Sequence, residues 1–293
     1  MKDLMLLSGE ALQVYLFFSL LAGFVVLERL IPKRHPDASQ KSRWLTNAGL
    51  STLSILTLPL LPLSFITAAW WAQQQGIGLL NLFAGQLPEF SIVTLTLLLR
   101  GFVSFATHYL NHKVPLLWRL HRVHHLDTEL DVSSTVRFHP LEMPISLLIG
   151  LPMVVLFGLS PWVLIFYELL DVAVTLFSHA NIRLPRRLNN LLRYLIVTPD
   201  LHKVHHSVFT PETDSNFSAV FPVWDIIFGT YRTQTRAPLE TMPLGLEELR
   251  DPEANRFWWL LVSPFLTRKS IATGAALRAP SPSPSATLQE SRP

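Results

Sequence analysis

The feature that most constrains this chain is a series of apolar stretches long enough to cross a lipid bilayer, with few charges inside them. A hydrocarbon core of ~30 Å needs about 20 helical residues at 1.5 Å each. Residues 12–31 meet that requirement. Only Lys2 precedes them as a basic residue and no small-residue cleavage site follows, so they read as a retained anchor, not a signal peptide. Lys33, Arg34, Lys41 and Arg43 then form a short basic loop, which the positive-inside rule assigns to the cytoplasm.

A second span is expected over residues 45–71, kinked or broken by Pro59 and Pro62 and ending in an interfacial Trp70-Trp71 pair. The linker 73–89 has no Lys or Arg, as expected on the outer side. A third span, 90–111, returns inward and delivers His108 and His112 at its cytoplasmic end. Between 143 and 178 two apolar runs flank Gly158-Leu159-Ser160-Pro161, a turn signal, and predict a helical hairpin. Leu184, Leu188, Leu191, Leu192 and Leu195 alternate with Arg186, Arg187 and Arg193 at helical spacing, the pattern of a helix lying in the interface plane. Residues 257–265 are apolar but too short to span. The Ala-, Ser- and Pro-rich stretch 271–293 cannot bury enough surface to order itself.

Composition agrees. Only 15% of the 293 residues are charged and 49% are hydrophobic, against about a quarter charged in soluble domains. The expected fold class is all-α: a multi-pass membrane helical bundle with a cytoplasmic histidine-rich helical cap and a disordered C-terminal tail. The expected divisions are 1–89 (membrane helices and basic loop), 90–235 (catalytic domain with the hairpin), 236–269 (interfacial segment) and 270–293 (tail). There is no cysteine, which excludes disulfides, cysteine-ligated clusters and thiolate haem and leaves any metal to nitrogen and oxygen ligands. The net charge of +3 lies beside apolar segments and forms no nucleic-acid stripe.

Histidine carries the chemistry. Of 11 histidines, all but His35 fall between His108 and His206. They form His108-Tyr-Leu-Asn-His112, His121-Arg-Val-His124-His125 and His202-Lys-Val-His205-His206, with His139 and His179 single between the last two. Helix positions three and four apart share a face, so each group aims its imidazoles at one point. Pro115, and Thr198-Pro199, stand where a helix start places a capping residue and a first-turn proline. Ten imidazoles exceed the roughly four to six ligands of one ion and suit a pair. Imidazole serves iron, zinc, copper and nickel alike, so the ligands alone do not name the metal.

These boxes, in this order, resemble those of the fatty acid hydroxylase and sterol desaturase superfamily. Phe138-His139-Pro140-Leu141-Glu142, Asn216-Phe217, Trp224-Asp225 and Phe228-Gly229-Thr230-Tyr231-Arg232 resemble further elements of it. The likeness covers about residues 90–232; Arg43-Trp44-Leu45-Thr46-Asn47 matches only loosely. The resemblance implies a non-haem di-iron oxidoreductase that uses O₂ to oxidise an unactivated lipid C–H bond. Electrons would come from a separate cytochrome b5- or ferredoxin-type carrier fed by NAD(P)H.

Around the ligands, Glu168, Asp171, Thr175 and His179 share a helical face, and Asp171 would suit an acceptor fixing an imidazole tautomer. Asp127, Glu129, Asp131 and Asp225 stand where they could orient ring nitrogens, and Asn216 belongs to the same group of expected outer residues. Arg100, inside the third span, either binds an anionic substrate head or pairs with Glu168 or Asp171; the sequence leaves both open. Hydroxylation is the favoured outcome, with desaturation as the alternative. A membrane zinc hydrolase lacks its His-Glu-x-x-His motif here, and a metal transporter would spread its histidines across the bilayer. With no retention signal at the C-terminus, a bacterial inner membrane is expected rather than the endoplasmic reticulum.

Overall fold

A computed structural model describes residues 2–35, 40–57, 63–247, 249–250 and 255–266. The expected disordered tail, and Pro59 and Pro62, lie outside the described residues. The described residues are helical, joined by turns and two isolated β-bridges, Pro32 with Ile182 and Ser207 with Leu244.

The chain opens with α1 (Lys2–Leu30), whose apolar residues fit a bilayer crossing over Ala11–Leu30. The expected second span is not one helix. It is divided into α2 (Gln40–Thr57) and α3 (Phe65–Gln74). The division agrees with the expected kink or break, and α2 buries Arg43, Thr46, Asn47 and Ser54, a polar face that needs polar partners and finds them in the histidine-bearing cap. Ser64 starts α3 through a reciprocal capping box with Thr67.

A short α4 (Leu79–Leu82) leads to α5 (Glu89–Lys113), the second helix long and apolar enough to cross a membrane. Next comes α6 (Pro115–His125), with proline at its first position as the sequence suggested. A 3₁₀ turn, Val132–Val136, separates it from the hairpin of α7 (Glu142–Phe157) and α8 (Pro161–His179). Gly158 closes α7 in the left-handed conformation, with φ +64°. Gly78 meets it: a Cβ on Gly78 would lie 2.4 Å from the Gly158 Cα, so the pair seals the turn only as glycines. Helix α8 is the third candidate span.

The cap is completed by α9 (Arg186–Leu192), α10 (Pro199–His205), α11 (Thr210–Thr213), α12 (Val223–Ile227) and α13 (Phe257–Val262). On and just after α9, Leu188, Leu191 and Leu195 are exposed, the face expected of a helix at a lipid interface. Helix α1 packs along α8, α5 packs against α6, α7 and α8, and α10 lies on α8. This brings the ends of α5, α6, α8 and α10 to one place.

Candidate metal centre

Nine of the ten expected ligands converge at that place. His108, His112, His121, His125 and His205 form one group, and His124, His179, His202 and His206 a second; within each, one ligand atom per residue lies within 4.8 Å of every other. His108 and His112 come from successive turns of α5, and His121, His124 and His125 from the last turns of α6. His179 ends α8, while His202, His205 and His206 come from α10 and its cap. Helix α10 starts where the sequence expects: the Thr198 side chain accepts from the Leu201 N–H and Pro199 follows.

The hydrogen bonds assign the tautomers. His108 Nδ1 lies 2.7 Å from the Phe217 carbonyl, His179 Nδ1 2.8 Å from the Thr175 carbonyl and His205 Nδ1 2.7 Å from the Ser215 carbonyl. A carbonyl cannot donate, so each Nδ1 carries the hydrogen and each Nε2 presents a bare lone pair. His121 donates to the Glu142 carboxylate at 2.6 Å with the same result.

Yet the Nε2 atoms face one another. His108 and His121 are 3.0 Å apart, His202 is 3.0 Å from His179 and 3.1 Å from His206, and His179 is 3.3 Å from His124. His108 and His121 both turn a bare Nε2 acceptor to the other, and two acceptors at 3.0 Å repel unless a cation lies between them. His205 Nε2 is likewise buried with no partner. This donor set fits metal ions, one for each group. Burial, and next the neighbouring imidazoles, hold His124, His125, His202 and His206 well below the ordinary histidine range, and burial takes His205 down to about 3. These rings are neutral at physiological pH, the state a ligand needs.

His139 is the correction. Its Nδ1 accepts from the Leu141 N–H at 3.2 Å, and its Nε2 donates to the Leu261 carbonyl at 3.2 Å. Both nitrogens therefore serve the turn into α7 and its contact with α13, outside either group. The neighbouring Phe138 stacks on His124 at 4.7 Å between ring centroids.

The expected outer residues also separate from the rings. Asp127 and Asp131 bind Arg43 at 2.6 and 3.0 Å. Asp225 accepts from the Phe217 and Ser218 N–H groups and from Thr230 Oγ1, fixing the loop that offers the Phe217 carbonyl to His108. Asn216, a non-glycine residue at φ +56°, ties Leu201 to Arg232 through its amide. Arg100 pairs with Glu168 at 2.9 Å and lies against the rings of Phe65 and Tyr167, which answers the question its sequence position raised in favour of the ion pair. Asp171 sits by that pair, and the His179 ring takes the Thr175 carbonyl instead.

Sequence reasoning missed Glu142. It is an acid in the first turn of an otherwise apolar helix, three residues after His139; that isolation was the available signal. Outer acceptors of this kind typically tune metal affinity 10–100-fold. Glu142→Ala is therefore expected to weaken metal binding at the five-histidine group by about that factor, measured by chelator competition. Unchanged affinity would remove Glu142 from the centre's support.

Lys203 was also unforeseen. It lies between the candidate ligands His202 and His205, only 2% exposed, and its ammonium has no hydrogen-bond partner. Burial, then the Arg34 charge, lowers it to about 7. An unpartnered buried polar group costs about 1–3 kcal/mol, so Lys203→Met is expected to stabilise the protein by roughly 1 kcal/mol in thermal unfolding. A loss of stability would show that the amine has a partner.

Comparison with known proteins places these features in context. The profile of the fatty acid hydroxylase family matches residues 93–230. The chain is 28% identical over 151 residues to the ornithine lipid hydroxylase OlsE of Rhizobium tropici, covering 52% of this chain and 45% of that protein. It is 30% identical over 235 residues to a cholesterol 25-hydroxylase-like protein of Danio rerio, covering 75% and 88%. Human alkylglycerol monooxygenase is 26% identical over 129 residues, 43% of this chain and 27% of that protein. The match thus spans less than half of the first and about a quarter of the third. No solved structure matches.

Proposed function

The chain belongs to the fatty acid hydroxylase family, and from that premise we propose that it is a membrane-bound di-iron oxygenase that hydroxylates a lipid C–H bond. The observation that carries the proposal is the convergence of nine imidazoles in two separate sets, with bare Nε2 lone pairs fixed on His108, His121, His179 and His205. Two iron ions held there would supply the oxidising power for a reaction in which O₂, two externally supplied electrons and two protons give one inserted oxygen atom and one water. Five ligands for one ion and four for the other leave room at each for a further ligand. Relatives named for ornithine lipid, cholesterol and alkylglycerol support a lipid substrate without selecting one.

The protein's own part is placement. The backbone carbonyls of Phe217, Thr175 and Ser215, with Glu142, hold four rings in one tautomer before metal arrives. Phe217 is fully buried and sets its edge against His108, His112 and His205. From it an aromatic wall of Phe105, Phe102 and Phe228 follows α5 toward the membrane. Such a wall suits a hydrocarbon chain, keeps water from the reacting carbon and leaves the lipid's polar head at the interface. With the basic loop in the cytoplasm, the centre faces a cytochrome b5- or ferredoxin-type donor from that side. A bacterial inner membrane suits the ornithine lipid relative.

Incubation of the purified, iron-loaded protein with lipid extract, reductant and ¹⁸O₂ tests the proposal. The expected product carries one ¹⁸O per molecule, and the protein carries two irons. An unlabelled product with a new double bond would mean desaturation; zinc with hydrolytic turnover would end the oxygenase reading.

A further inference from the structure

The family profile begins at residue 93, yet Glu28, Lys33 and Arg43 reach the three elements that hold the four-histidine group or the chain just beyond them. Arg43 binds Asp127, just beyond the α6 end that carries His124, at 2.6 and 2.9 Å. Lys33 binds Asp200, in the first turn of the α10 helix that carries His202, at 3.1 Å. The most specific of these contacts is made by Glu28, in the last turn of α1. One of its carboxylate oxygens, Oε1, accepts from the Val132 N–H and from the Asn181 N–H, both at 2.7 Å. Val132 follows His124 and His125 on the chain leaving α6, and Asn181 follows His179 on the chain leaving α8.

We infer that Glu28 is a positioning residue for the metal ion of the four-histidine group, an assignment that rests on the two-ion reading above. A single oxygen shared by two N–H donors holds the chain beyond α6 and the chain beyond α8 at a fixed distance from each other. His124 and His179 lie on opposite sides of that tie. The tie is backed on the α1 side by Lys33 N–H donating to the Asn181 carbonyl at 3.0 Å and Arg183 N–H to the Ile31 carbonyl at 2.8 Å. Glu28 is buried, so removing its carboxylate leaves two N–H donors without their acceptor. The five-histidine group instead takes two rings from α5 and is braced by Glu142 and the Phe217 and Ser215 carbonyls. Helix α8 supplies a ring only to the four-histidine group, so the Glu28 tie through Asn181 bears on that ion.

The experiment uses the full chain, iron-loaded in nanodiscs and titrated with chelators of graded affinity while the irons per chain are counted. Wild type is expected to hold two. In Glu28→Ala one ion is expected to leave about 10–100-fold more readily, the usual effect of losing outer support, while the other is unchanged. Glu28→Gln, which keeps an oxygen acceptor, restores most of the affinity. In a His206→Ala background, where the four-histidine group is already broken, Glu28→Ala changes nothing further. Should Glu28→Ala fail to fold, Glu28→Asp, one methylene shorter, serves for the same comparison. Equal weakening of both ions, wild-type affinity in every Glu28 variant, or a further loss in the His206→Ala background overturns the assignment and leaves the two-ion reading intact. A wild-type chain holding fewer than two irons overturns that reading itself.

Discussion

His206→Ala is expected to abolish turnover while leaving about one iron per chain. The substitution reduces the smaller group to His124, His179 and His202, and iron(II), which stands below zinc in the affinity order for nitrogen ligands, is expected to leave such a depleted neutral site. Metal ions contribute several kcal/mol to stabilising a transition state, and each 1.36 kcal/mol is a factor of ten, so product formation should fall at least ~10³-fold. The second ion should remain, because its five rings do not include His206. Turnover within tenfold of wild type, with iron content at half, would mean that one ion does the chemistry and that the four-histidine group is structural.

Arg43→Ala is expected to be the most destabilising single substitution in the cap. Its guanidinium is buried against two buried acids, Asp127 and Asp131, and it also donates to the Glu129 carbonyl. Removing one partner of such a pair leaves uncompensated charge in a poor solvent, which costs about 3–5 kcal/mol. Denaturant unfolding in detergent measures it, and a loss below 1 kcal/mol would show that water reaches the acids. The pH dependence has a defined sign. Burial would raise Asp127, but Arg43 and Arg137 outweigh it and bring the carboxyl to about 2 from an ordinary 3.8. A depressed carboxyl stabilises the fold fully above pH 3.8 and loses that contribution as pH falls through about 2. The advantage of wild type over Arg43→Ala should therefore be constant at neutral pH and vanish only in strong acid, measured on metal-depleted protein.

Much of this architecture was readable from residues whose roles are local. Pro115 and Thr198-Pro199 mark helix starts because a missing N–H and a side-chain acceptor act within one turn. Gly158 marks the hairpin because only the turn it sits in demands its backbone. The histidine boxes were legible for the same reason: helical spacing alone puts their rings on one face. What escaped depends on long-range pairing. His139 lies in a motif between the histidine boxes, but its ring is taken by Leu261, 122 residues away. Arg43 was read as part of a basic loop, yet α2 starts at Gln40 and turns Arg43 and Asn47 inward to partners more than 80 residues distant. The brackets holding the rings are mostly backbone carbonyls, which every residue has and no sequence pattern distinguishes.

The Arg100–Glu168 pair also bears on how the chain is made. The arginine emerges from the ribosome 68 residues ahead of its acid, and a lone arginine at mid-bilayer costs about 2.5–3.5 kcal/mol on insertion scales. Helix α5 therefore enters the lipid carrying a charge whose acid partner arrives only with α8. The two should leave the translocon as a unit, and a chain truncated before Glu168 should show α5 slipping out of the bilayer or being cleared by membrane proteases.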